Sequence, residues 1–194
     1  MSTPLDILTF PLSGLRLIEA SAGTGKTYTI AGLYLRLLLG HGTAESGFGA
    51  PLPVDRILVV TFTEAATAEL RERILKAIRQ LRRAIETGET RDKLHRALME
   101  SCADHRDLAL KQLLTAERQI DEAAIFTIHG FCQRMLTQNA FESGSLFDNE
   151  FLTEEQQLRA QTVADFWRQI TWQAEVTLAE GLLKHWKGPA DLLR

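Results

Sequence analysis

Residues 20–27 read Ala20-Ser21-Ala22-Gly23-Thr24-Gly25-Lys26-Thr27, and few local folds accommodate such a stretch. It lies between an apolar run, Leu15-Arg16-Leu17-Ile18, and a helical pattern that begins at Thr27. Strand, glycine-rich turn and helix in that order form the setting in which a phosphate-binding loop works. The pattern G-x-x-x-x-G-K-[ST] is met at every fixed position but the first, where Ala20 stands for Gly. Gly23 and Gly25 can take backbone angles closed to other residues. Successive N–H groups then turn inward as an anion-binding concavity. The helix behind adds its unsatisfied N–H groups and the positive end of its dipole. The spacing predicts that residues 20–27 cradle a nucleotide phosphate chain. Lys26 would reach the β- and γ-phosphates, and the Thr27 hydroxyl would hold the Mg²⁺ that accompanies ATP.

Composition bounds the remainder. The chain has 194 residues, room for one large domain or one domain and part of another. It is 45% hydrophobic and 24% charged, as ordinary globular chains are. No apolar run approaches the ~20 residues of a membrane helix, and the N-terminus does not have the form of a secretory signal. Cys102 and Cys132 make neither a disulfide framework nor a metal pattern. The five histidines have no ligand spacing. A cytoplasmic protein is expected. The net charge of −3 does not advertise nucleic acid, but its distribution is uneven. Arg71, Arg73, Lys76, Arg79, Arg82 and Arg83 face only Glu72 as an opposing charge. That run fits either a solvated helix face or a guide for DNA.

Along the chain, residues 1–13 read as a leader and residues 15–19 as a first strand. A helix is expected over 26–39, with Ile30, Leu33, Leu37 and Leu38 on its apolar face and Gly40 and Gly42 stopping it. Residues 43–53 hold two glycines and two prolines, which mark a loop. Residues 56–62 are β-branched and apolar, suited to a strand buried on both faces. Thr63 is placed to cap a long helix to about residue 86, whose Leu70, Ile74, Ile78, Leu81 and Ile85 keep a 3–4 spacing. Residues 91–120 read as two or three helices whose apolar side is Leu94, Leu98, Leu110, Leu113 and Leu114. A third strand is expected over 123–128 and a helix to 138. Residues 141–149 read as a turn, and 153–170 as a helix with the cap-like Thr153-Glu154-Glu155-Gln156. A weaker helical stretch to 186 is broken by Gly188 and Pro189, and 191–194 resemble a further helix start. Strands alternating with helices imply an α/β fold with a parallel sheet flanked by helices.

The second and third strands end in Thr61-Phe62-Thr63-Glu64-Ala65-Ala66 and Thr127-Ile128-His129-Gly130-Phe131-Cys132. Ligands of open parallel sheets collect at the carboxyl ends of strands. Hydroxyls and helix N-termini there can meet a phosphate backbone, and Phe62 or Phe131 can stack on a base. For Phe131 a place in the core is the alternative, and for His129 a structural hydrogen bond.

Together the three stretches resemble superfamily 1 DNA helicases of the UvrD/RecB type. Residues 17–27 look like motif I of that group, residues 59–74 like motif Ia, and residues 126–136 like the DNA-contacting motif that follows. Within the group the RecB branch is most similar. That likeness extends to Tyr34-Leu35-Arg36-Leu37-Leu38-Leu39-Gly40, Asp121-Glu122-Ala123-Ala124, Asn139-Ala140-Phe141-Glu142-Ser143-Gly144 and Trp186-Lys187-Gly188-Pro189. The resemblance implies a P-loop NTPase (RecA-like) fold, with ATP and Mg²⁺ as cofactors. It implies an ATP-dependent 3′→5′ helicase and nuclease that works on single- and double-stranded DNA, with RecC and RecD subunits in a heterotrimer for double-strand-break repair. By position, Thr61, Phe62, Thr63 and Ala66, with Thr127, His129 and Phe131, would line a single-strand track.

The departures are specific. Pro11-Leu12-Ser13-Gly14 stands where the wider group places an adenine-reading Gln. Phosphoryl transfer needs a second acidic Mg²⁺ site and commonly an arginine finger. The only Asp-Glu pair, Asp121-Glu122, follows Glu117-Arg118-Gln119-Ile120, which is no buried strand. An N-terminal portion of a longer helicase is therefore expected: residues 1–150 as part of the ATP-binding domain, with a helical insertion near 88–120, and 151–194 as the opening of a helical subdomain. Other UvrD-like or AddA-type helicases are alternatives, and so is a small P-loop kinase, which would need a catalytic acid within these residues.

Overall fold

The computed structural model describes residues 5–21, 23–144 and 155–193. The chain divides into two compact units, Met1–Gln138 and Asn139–Arg194.

In the first unit, helix α1 (Lys26–Leu39) begins behind the glycine turn and ends at Gly40, which is left-handed at φ 66°. Its buried side holds Ala31, Gly32, Tyr34, Leu35, Arg36 and Leu38. Ile30 and Leu33, expected on that side, are instead exposed and half-buried. The face is turned because α1 packs on helix α2 (Glu64–Thr87) and also carries a buried arginine. Strand β1 (Val59–Thr61) precedes α2, and Thr63 caps that helix by accepting the Ala66 N–H at 3.2 Å. The expected apolar positions Leu70, Ile74, Ile78, Leu81 and Ile85 are all buried. Gly88 ends α2 at φ 76°, its N–H bonded to Ala84 O.

The insertion folds as α3 (Lys93–Ser101) and α4 (Arg106–Arg118), and both pack on α2. Leu98 and Leu113 are fully buried there, but Leu114 is exposed, because one position further round α4 points to solvent. The chain then enters β2 (Ile125–Thr127) and α5 (Ile128–Gln138). β1 and β2 pair in parallel, Val59 beside Ile125 and Thr61 beside Thr127.

Two of the three expected strands form, and the first does not. Residues 15–19 are without strand structure, and Leu15 and Leu17 are 98% and 85% exposed. A strand needs a ladder for its N–H and C=O groups, and among the described residues none is offered to this segment. Nor is β1 covered on both faces: Val60, and Leu58 just before the strand, are exposed. The leader, by contrast, is tied down. Asp6 accepts from Leu8 N and the Thr9 hydroxyl, and Ile7 and Leu8 lie against the core.

The second unit holds α6 (Ala140–Ser143), α7 (Gln156–Gln173), α8 (Val176–His185) and a 3₁₀ turn over Pro189–Leu193 packed on α7. The expected helix start at 191–194 is that tighter turn, closed by Lys187 N donating to Asp191 Oδ2 at 2.8 Å. The Thr153 and Glu154 cap and residues 145–149 of the expected turn lie outside the described residues. No helix among the described residues is long and apolar enough to cross a membrane.

Candidate phosphate and nucleic-acid site

The glycine turn forms as its sequence requires. Gly23 and Gly25 are both left-handed, at φ 79° and 84°, and any side chain there would be strained. Thr24 closes the turn by donating its hydroxyl to Ser21 O at 2.8 Å. Gly25 is the cap of α1 and offers no side-chain acceptor to the first-turn N–H groups. Those donors and the helix dipole point at the turn. The Lys26 ammonium folds back over the loop, 2.6 Å from Ser21 O and 3.3 Å from Ala20 O. Thr27 is half-buried one residue on. Ala22 lies outside the described residues.

Beside this first turn is a cleft of about 280 Å³ bordered by Thr27, Tyr28, Arg73, Lys76, Asp92 and His95. Asp92 caps α3 through Leu94 N and His95 N, at 2.8 and 3.1 Å, and also receives the Tyr28 hydroxyl at 3.1 and 3.2 Å. Burial, then Asp92, pushes the Tyr28 phenol above its ordinary pKa, and burial holds His95 below the usual histidine value. Asp92 is readable from the sequence as a helix cap. Its phenol partner, distant in the chain, is not.

The two remaining motifs come together at the carboxyl ends of β1 and β2, since Thr61 and Thr127 are register partners. Phe62 projects with 85% exposure, whereas Phe131 is half-buried. Thr63 and Ala66 are exposed on the first turn of α2, and His129 is exposed on α5. Thr127 is buried; its hydroxyl donates to Glu64 and accepts Gly130 N–H. Thr61 is half-buried, its Oγ1 2.6 Å from that of Thr67. These two threonines hold the strand ends, and Thr63 caps α2.

The basic run on α2 is largely consumed by protein contacts. Arg79 and Arg82 both bind Glu117 of α4, at 2.8 and 3.0 Å, and Arg82 also binds Glu86. Arg73 pairs with Glu69, and Arg71 donates to Ile125 O. Arg79 and Arg82 thus share one acid of α4 as partner, while the Arg79 side chain stays more than half exposed. Nothing local in the sequence points to Glu117 as that partner.

A family model described as the UvrD/REP helicase N-terminal domain matches residues 5–187. The RecBCD enzyme subunit RecB of Escherichia coli (strain K12) is 56% identical over 190 residues, covering 98% of this chain and 16% of that protein. The subunit of the same name from Haemophilus influenzae is 43% identical over 196 residues, again 98% of this chain and 16% of that protein. That of Buchnera aphidicola subsp. Schizaphis graminum is 40% identical over 194 residues, 100% of this chain and 16% of that protein. The chain thus spans 16% of the length of each of these relatives.

Proposed function

Because the chain belongs to the UvrD/REP helicase N-terminal domain family, we propose that it is the ATP-binding N-terminal portion of a RecB-type DNA helicase subunit. The observation that carries the reading is the glycine turn: two left-handed glycines, uncapped N–H groups and a lysine, all at the head of one helix. The loop also passes a test of fit. A Cβ built at Gly23 or Gly25 would meet nothing within 4 Å, so the turn opens outward rather than against its own core. Backbone N–H groups of residues 20–27 would hold the phosphates, Lys26 would neutralise them, and Thr27 would hold Mg²⁺. The bound nucleotide supplies a high-energy phosphoanhydride whose cleavage is coupled to movement along DNA. Phe62 stacks on a base of single-stranded DNA, aided by Thr63, Ala66, His129 and Phe131 near the strand ends, with Thr61 and Thr127 holding them.

The proposal extends to the whole protein as an ATP-dependent 3′→5′ helicase and nuclease, acting on DNA ends with RecC and RecD. The relatives' name, a subunit of a RecBCD enzyme, supports that extension. The 194 residues bind nucleotide without turning it over. In support, β1 and β2 end in threonines, and Asp121-Glu122 sits in a 3₁₀ turn ahead of β2 rather than at a strand's carboxyl end. A P-loop kinase reading likewise finds no acid at a strand's carboxyl end among the described residues.

The test is titration of MgATP into this chain and into Lys26→Ala by calorimetry, with ATP turnover followed in parallel. Lys26→Ala is expected to bind at least about a hundredfold more weakly, as loss of a charge-assisted contact to phosphate implies, and neither protein to hydrolyse ATP. Equal binding by both proteins would remove the nucleotide reading.

A further inference from the structure

Glu64 stands between the two strand ends. It opens α2 directly after Thr63, and its Oε1 accepts the Thr127 hydroxyl at 3.1 Å, across from β2. The same Thr127 oxygen accepts Gly130 N–H at 3.0 Å. A hydroxyl has one proton to give. Committing it to Glu64 turns a lone pair toward Gly130, between His129 and Phe131. The fit is close: a Cβ at Gly130 would lie 3.1 Å from that oxygen. Two helical turns further along α2, on the same face, Arg71 Nη2 donates to Ile125 O at 3.0 Å. α2 is thus fastened to β2 near both ends of the strand. It is fastened to β1 as well, by the Thr61–Thr67 hydroxyl pair at 2.6 Å.

A carboxylate at this place is electrostatically costly for a surface that meets phosphates. Its place in the first turn of α2 and its bond to Thr127 together offset that cost. We propose that Glu64 is a positioning residue, which locks residues 61–63 and 127–131 into one platform for single-stranded DNA. The inference rests on the DNA reading of the preceding subsection.

The sign of the effect separates this role from a bare surface charge. Losing a negative charge near phosphates tightens DNA binding. Losing a positioning bond loosens it. Binding of a labelled oligothymidylate to the chain is measured by fluorescence anisotropy for Glu64→Ala, Glu64→Gln and Phe62→Ala. Glu64→Ala is expected to bind about fivefold more weakly, the worth of one hydrogen bond. Glu64→Gln keeps an acceptor for Thr127 and is expected to bind as tightly as the parent or more so. Amide exchange at Gly130 is expected to quicken in Glu64→Ala while amides of α4 keep their rates, which a general loss of stability would not produce. Tightening by both Glu64 variants overturns the proposal. So does Phe62→Ala weakening binding while Glu64→Ala leaves it unchanged, and then the DNA reading survives alone. If Phe62→Ala and Glu64→Ala both bind as the parent does, the DNA reading itself has failed and the positioning role falls with it.

Discussion

At the scale of single residues, Arg36 decides more than its place in an apolar helix suggests. It is fully buried on α1. Its guanidinium donates to Ile7 O and Phe10 O, at 2.7 and 2.6 Å, and to Ser46 O at 2.7 Å. Its Nε donates to His41 Nδ1 at 3.3 Å. Burial lowers the pKa of both groups, and Arg36 adds to the effect on His41, so His41 is held neutral as an acceptor. One side chain therefore ties the leader and the 41–53 loop to α1. A planar fork with several fixed donors suits this and a lysine does not. Arg36→Met is expected to remove this donor from Ile7 O and Phe10 O, Ser46 O keeping the Leu12 N–H, and to cost about 3 kcal/mol. Urea unfolding of the two proteins measures it, and a cost under about 0.5 kcal/mol would show the anchor to be dispensable. In the sequence Arg36 is one more charged residue in a helix. Its three carbonyl partners belong to segments with no regular structure, so no periodicity points to them.

At the scale of elements, α2 is the scaffold, with α1, α3 and α4 packed around it. Apolar spacing brings α4 to α2, and Glu117 fixes its register by receiving Arg79 and Arg82 together. Hydrogen bonding from Arg79, then Arg82, holds the Glu117 carboxyl below its ordinary pKa. A double-mutant cycle of Arg79→Ala with Glu117→Gln is expected to give a coupling of about 0.5–1 kcal/mol, since the Arg79 side chain is more than half exposed. The sign with pH follows from linkage. A carboxyl with a depressed folded value contributes its full stability above its unfolded pKa, near 4.5. It loses that stability as pH falls through the lower folded value. The coupling is therefore expected to persist at pH 6 and to fade at acid pH. A coupling that is unchanged at the acid end would mean the pair acts by packing rather than charge. The helices were legible because amphipathic spacing and caps such as Thr63, Gly40 and Gly88 are local signals. The clamp was not, because its partners lie on different helices.

At the scale of the whole molecule, the first unit holds a small parallel sheet, β1–β2, and an apolar segment at residues 15–19 without strand structure. Leu15, Leu17, Val60 and Phe62 are all exposed within the first unit. Open strand edges and grouped apolar side chains favour association between chains. The 194-residue protein is expected to self-associate as its concentration rises, and Leu17→Lys to weaken that association. Sedimentation velocity over a concentration series checks it. Identical, concentration-independent profiles for parent and variant would mean that these side chains do not drive contact.

The sequence by itself determined the glycine turn ahead of α1 and the cap and apolar face of α2. Each of these depends on residues within a few positions of one another, where backbone sterics and helical period act directly. Tertiary structure alone decided the rest. Residues 15–19 have the composition of a strand but gain strand structure only when another strand supplies hydrogen bonds. Arg79 and Arg82 became structural because Glu117 arrived from α4. Glu64 acquired a partner in Thr127, which lies far along the chain but adjacent in space once β2 pairs with β1. Such contacts depend on how elements dock, and no local pattern of charge or hydropathy encodes which carboxylate will meet which hydroxyl.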